Sequence, residues 1–154
     1  GSPVLVMDAD VLYHPSILRR LVDTDIENCY LLDRDFEPGD EPVKIAIRDG
    51  AMVEFRKQLK PGLAYDLLGE SVGFFRFGPA AAAAICTECA RFDAEGLGDA
   101  PHEEALRNVL LRQPEWFGYE DVSGGPWIEI DFPEDVARAR DQILPAIRKD
   151  YPDF

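Results

Sequence analysis

Apolar residues cluster along the chain in short runs set off by turn residues. The first run, Val4–Met7, predicts a buried strand and ends in two acids two residues apart, Asp8 and Asp10. Pro15 at a first helical position, with His14 as its cap, predicts a helix with an apolar stripe of Ile17, Leu18, Leu21 and Val22. Asn28 to Leu32 predicts a second strand, and the acidic, turn-rich residues 33–42 a surface loop. "KIAIRDGAMVEF" alternates about Asp49-Gly50, the dipeptide that suits a tight type I′ hairpin. Residues 57–69 carry no clear period. "SVGFFRF" predicts a buried strand ending at Gly78-Pro79, and Pro79 opens an alanine-rich helix to about Phe92. "EGLGDAP" is a loop and "HEEALRNVLL" a helix. "EWFGYEDV" and "WIEIDF" predict strands on either side of Ser123-Gly124-Gly125-Pro126. Pro133 starts a last helix with Val136, Ala139, Ile143 and Ile147 on one face. Glu134 and Asp135 in its first turn and Arg148 and Lys149 at its end suit the helix dipole.

That order of elements predicts an α/β fold with an inserted β-hairpin and a mostly parallel sheet flanked by helices. No internal repeat divides the chain, and 154 residues fit one domain with a real core. The domain is taken as 3–154; Gly1-Ser2 reads as an expression scar.

Charge narrows the partners. Sixteen Lys and Arg stand against 30 Asp and Glu, a net charge of −14. A nucleic-acid backbone is not an expected partner, because neutralising phosphates needs clustered bases. No apolar run approaches the ~20 residues of a membrane span. Three cysteines, Cys29, Cys86 and Cys89, form an odd, sparse set that points to a reduced, cytoplasmic protein. Cys86-x-x-Cys89 falls on a predicted helix without a second pair, so both are expected to be small core residues rather than zinc ligands.

The acids carry the candidate chemistry. Ligands in open α/β sheets bind beyond the carboxyl ends of strands. Acids stand there twice, at Asp8-Ala9-Asp10 and at Trp127-Ile128-Glu129-Ile130-Asp131. Residues two apart on a strand share a face. Clustered carboxylates repel, and a hard divalent cation such as Mg²⁺ relieves that repulsion. The competing reading makes each acid a helix cap, as Asp131 ahead of Pro133 illustrates. Two such strand ends in one small domain favour the metal site, with Asp8, Asp10, Glu129 and Asp131 as candidate ligands.

"VLVMDADVLYHPSILRRL", "GESVGFFRF", "HEEAL" and "WIEIDFPEDVARA" resemble, in this order, the sugar-phosphate nucleotidyltransferase superfamily, and most of all its phosphocholine cytidylyltransferase-like branch. The resemblance implies a Rossmann-like three-layer α/β/α sandwich. It implies a reaction in which CTP or another NTP is joined to a phosphocholine-, phosphonate- or sugar- or polyol-phosphate-type acceptor with release of pyrophosphate. Asp10 and Asp131, with Glu129 nearby, then hold Mg²⁺; many members carry glycine where Asp8 stands. Glu70 and Ser71 match the acceptor pocket, and Glu103 and Glu104 an acidic segment that cradles a cationic head. Tyr65, Trp116 and Trp127 are the candidate aromatic walls, and Lys44 the candidate phosphate contact. The family's glycine-rich nucleotide loop has no counterpart here, so the chain resembles the C-terminal two-thirds of such an enzyme and is expected to be inactive alone. A homodimer is compatible with this reading.

Two other readings remain. "VLVMDADVLY" also resembles the first motif of haloacid-dehalogenase-type phosphatases, with Asp8 as nucleophile and Asp10 as acid/base. The chain also fits a non-catalytic, ligand-binding relative of the nucleotidyltransferases.

Overall fold

The computed structural model describes residues 1–37 and 39–153; Pro38, in the acidic loop, and Phe154, at the end of the expected domain, lie outside the described residues. The strands are β1 (Val4–Met7), β2 (Val11–Tyr13), β3 (Cys29–Asp33), β4 (Lys44–Arg48), β5 (Ala51–Arg56), β6 (Leu67–Phe77), β7 (Gly118–Asp121) and β8 (Trp127–Glu129). The helices are α1 (Pro15–Asp23), α2 (Pro79–Ala94), α3 (His102–Arg112), α4 (Pro133–Arg138) and α5 (Leu144–Asp150).

The main sheet runs β5-β4-β6-β3-β7, with β1 also paired to β6. It is mixed, as expected, but its ladders are not mostly parallel. β1, β3, β4 and β7 point one way, yet β6 runs against its neighbours, so among the described residues only β3–β7 forms a parallel ladder. β6 reaches beyond the expected "SVGFFRF" to start at Leu67. That length lets one edge serve two strands: Leu67–Glu70 pairs with β4 and Phe74–Phe77 with β1.

Strand alternation sends side chains to two cores. Cys29 and Leu31 pack with Ile17 and Leu21 of α1. Tyr30 and Leu32 face the other way, with Leu106, Val109 and Leu110 of α3. The result is three layers. Local chemistry places the ends. His14 caps α1, its Nδ1 accepting from Ser16 N at 3.2 Å. Asp49 and Gly50 turn the β4–β5 hairpin at φ 51° and 80°, the pair of positive values that a type I′ turn demands.

Three expectations are corrected. β1 is an edge strand, with Val4 47% and Leu5 42% exposed, because β6 is its one partner among the described residues. Cys86 and Cys89 are exposed. Ala81 and Glu88 are the buried positions of α2, and residues 86 and 89 fall on another part of the helical wheel. The last helix is interrupted by a π-turn at Ala139–Ile143. Pro145 cannot donate to the carbonyl four residues back, and the extra residue of the π-turn absorbs this. The phase shift leaves Val136 54% exposed while Ala139 and Ile147 stay buried. At the far end of α5, Asp150 approaches His14 Nε2 at 3.2 Å.

Tyr30 sits at the centre of the larger core, its ring edge-on to Phe75 at 4.9 Å and to Phe55 at 5.2 Å. Its hydroxyl has no hydrogen-bond partner among the described residues, and burial pushes the phenol pKa up. Tyr30→Phe is therefore expected to raise stability in urea unfolding by about 1 kcal/mol, since it removes an unpaired buried donor without changing the ring. A loss of that size would show that the hydroxyl is bonded.

Candidate metal centre

β2 and β8 form a small antiparallel ribbon of their own, with Val11 opposite Glu129 and Tyr13 opposite Trp127. Ile130 N donates to Asp10 O at 2.9 Å and extends the pairing by one step. The ribbon brings the two acid-bearing strand ends together. Asp10, Glu129 and Asp131 each offer a carboxylate oxygen, and these oxygens lie within 4.8 Å of one another. Asp131 does not cap α4. Asp135 does, its Oδ2 accepting from Phe132 N at 2.9 Å and from Asp131 N at 3.3 Å. The Asp131 carboxylate is thereby left to the cluster.

Burial, followed by the charges of Asp131, Asp10 and Asp8, pushes Glu129 up to about 7. Burial, Glu129 and Asp33 push Glu70 up to about 7 as well. An all-oxygen donor set with this much mutual repulsion fits a hard divalent cation. No cysteine or histidine is in the set to favour a softer one.

Asp8 stands beside this group. Its N donates to Gly73 O at 3.0 Å, and its carboxylate fills the space where a side chain at residue 73 would begin. Gly73 takes φ +76°, so glycine is required twice over. His102, at the start of α3, lies 3.8 Å from Asp8 Oδ1 and 3.4 Å from Glu103 Oε2. Burial raises the Asp8 pKa and His102 opposes that shift.

The remaining expected residues divide. A cavity of about 80 Å³ is lined by Asp8, Ser71, Glu103, Glu129, Asp131 and Lys57, among others. A neighbouring cavity of about 440 Å³ is lined by Glu70, Asp33, Phe36, Trp127, Phe132 and Arg138, again with Glu129 and Asp131. Trp127 Nε1 donates to Asp33 Oδ2 at 2.6 Å, which fixes the indole in the wall. Glu104 turns to Arg56, with contacts of 2.9 and 3.2 Å. Tyr65 and Trp116 are exposed and line neither cavity. Lys44 Nζ donates to the carbonyls of Gly39, Pro42 and Lys57, at 2.6, 3.2 and 2.6 Å. It ties the acidic loop to the end of β5.

Lys57, not singled out by the sequence, is the one cation lining the smaller cavity among the described residues. Its Nζ reaches Glu41 Oε2 at 3.1 Å, and that bond raises its pKa, with Glu129 and Glu103 adding to the effect. In "EFRKQLK" it reads as one more solvated base after a hairpin. Nothing local distinguishes it.

The raised carboxylates set a pH dependence. An acid with a folded-state pKa near 7 binds more protons folded than unfolded between about 4.5 and 7, so its contribution to stability falls as pH rises through that window. The metal-free protein should melt at a higher temperature at pH 6 than at pH 8, and Mg²⁺ should narrow the gap by stabilising the pH 8 form. The window for Glu88 lies lower: its bonds from Arg91 and Arg112 depress it to about 2, so its contribution is lost only as pH falls below about 4.5. Thermal melts at both pH values, with and without Mg²⁺, check this. A higher melting temperature at pH 8 without metal would contradict it.

No protein-family model and no curated protein sequence matches this chain. Solved structures do share its fold. The inositol-1-phosphate CTP transferase from T. maritima aligns with TM-score 0.62 at 15% identity, over 97% of this chain and 57% of its own. A Bacillus anthracis protein assigned as a glucose-1-phosphate thymidylyltransferase aligns with TM-score 0.61 at 16% identity, over 95% of this chain and 55% of its own. The CMP:2-keto-3-deoxy-manno-octonic acid synthetase complexed with CTP aligns with TM-score 0.53 at 14% identity, over 91% of this chain and 64% of its own. The chain thus spans between 55% and 64% of the length of these three structures. These neighbours do not favour the phosphatase reading. The chain has the mixed, Rossmann-like α/β fold seen in these nucleotidyltransferase structures.

Proposed function

We propose that this chain forms the metal- and acceptor-binding part of a nucleotidyltransferase that joins CTP or another NTP to a phosphocholine-type acceptor and releases pyrophosphate. The observation that carries the reading is the convergence of Asp10, Glu129 and Asp131 where β2 meets β8. The fold supports it, because CTP-using proteins share that fold. Asp10, Glu129 and Asp131 would hold Mg²⁺, and a bound Mg²⁺ supplies neutralisation of phosphate charge.

The chain's own groups supply position. Lys57 would meet the acceptor phosphate, exchanging its bond to Glu41 for it, because it lines the smaller cavity with Glu129 and Asp131, whereas Lys44 is tied to three carbonyls. The larger cavity suits a cationic head. Phe36, Trp127 and Phe132 line it with aromatic rings and Asp33 and Glu70 with carboxylates, the two kinds of group that hold an ammonium. An acceptor phosphate oxygen is already anionic and can attack the nucleotide α-phosphorus without a general base, as the pyrophosphate leaves.

Calorimetry of the chain with phosphocholine and with a sugar phosphate, each in the presence of Mg²⁺, tests the reading. Phosphocholine is expected to bind more tightly, and Trp127→Ala to weaken it about tenfold. Equal affinity for both ligands, or binding indifferent to Mg²⁺, would overturn the assignment.

A further inference from the structure

Cys86 and Cys89 belong to no site described above. Both are exposed on α2, three residues apart and so on one side of the helix. We propose that they form a two-thiolate site for a soft, thiophilic centre such as trivalent arsenic or a soft divalent metal, and that helix geometry disfavours a disulfide between them.

The argument rests on separation and rigidity. In an intact helix, Cβ atoms three residues apart are about 5–6 Å from one another. A disulfide needs Cβ atoms at about 3.5–4.5 Å and sulfurs at about 2.05 Å. A bridging atom relaxes that demand: two bonds of about 2.3 Å in a tetrahedral metal site place the sulfurs roughly 3.8 Å apart, and a pyramidal trivalent arsenic likewise holds them well beyond the length of a disulfide bond. The helix would have to unwind locally to close the disulfide, and the structure opposes this. Glu88, between the two cysteines in sequence, is buried and accepts from Arg91 at 2.7 Å, Asn108 at 2.9 Å and Arg112 at 2.9 Å. That network pins this turn of α2 to α3 while the thiols face solvent.

Cys29 provides an internal control. It is fully buried, and burial and Glu120 push its thiol up to about 12, so it stays unreactive in the folded protein.

Phenylarsine oxide is the probe. Two arsenic–sulfur bonds form, the oxygen leaves as water with both thiol protons, and arsenic stays trivalent. One equivalent should silence both thiols that react with Ellman's reagent in the folded protein. Cys86→Ser and Cys89→Ser should each weaken binding at least about a hundredfold, as expected when a chelate becomes a single bond. Diamide treatment should give little intrachain disulfide while helical circular dichroism persists. Independent reaction of two equivalents, unchanged affinity in either serine variant, or ready formation of a Cys86–Cys89 disulfide with the helix intact would overturn the proposal. So would failure of the folded protein to react at all.

Discussion

Asp131→Asn is expected to cost at least about a hundredfold in Mn²⁺ affinity, read by calorimetry or electron paramagnetic resonance, because it removes one of three hard oxygen ligands. Asp10→Asn should behave alike. The substitution at Asp131 is clean in structural terms. Its backbone N–H is bonded to Asp135, and that bond does not involve the carboxylate being changed. Asp131 is also the largest charge acting on Glu129. Neutralising it should lower the Glu129 pKa, so the metal-free variant should be at least as stable as the parent at pH 8. The parent should gain about 2.7 kcal/mol when Mg²⁺ is present at a hundred times its dissociation constant, and the variant almost none. Undiminished Mn²⁺ binding in both variants would move the metal centre elsewhere.

Gly73→Ala should be strongly destabilising. β6 bulges at this point, since Tyr30 pairs with Phe75 while Leu32 pairs with Ser71. Gly73 accommodates the bulge with φ +76°, where a residue bearing Cβ is strained, and the Asp8 carboxylate occupies the space its side chain would need. A loss on the order of 3 kcal/mol is expected in urea unfolding. Part of it is the clash with Asp8 and part the backbone. The double variant Asp8→Ala/Gly73→Ala should therefore lose less than the sum of the two singles. Strict additivity would show that Asp8 is free to swing away.

Much of this fold is written in local chemistry. Pro15, Pro79 and Pro133 mark helix starts because proline lacks the N–H that a first turn leaves unpaired anyway. Asp49-Gly50 marks the hairpin because few other pairs adopt two positive φ values. What depends on neighbours distant in sequence is not written locally. Val4–Met7 has the same apolar pattern at an edge as in a sheet centre, and only the pairing with β6 tells them apart. Leu67–Glu70 joins β6 because β4 lies beside it. Cys86 and Cys89 look like core residues until the packed side of α2 is known.

The candidate site divides the same way. Asp10, Glu129 and Asp131 stand out in sequence because acids at two strand ends are unusual company for apolar runs. Lys44 and Lys57 are indistinguishable as residue types. Their separation comes from the carbonyls that surround one and the cavity that borders the other.

The β2–β8 ribbon also bears on the order of assembly. It is three residues long and joins parts of the chain on the order of a hundred residues apart, so closing it is entropically costly and its few bonds repay little of that cost. The hairpin β4–β5 and its pairing with β6 close much shorter loops and can form first. The acidic cluster is thus expected to form late and open early. A cation bound across it would act as a clasp between the first and last thirds of the chain, slowing amide exchange at Ile130 N–H while leaving the β4–β5 hairpin unchanged.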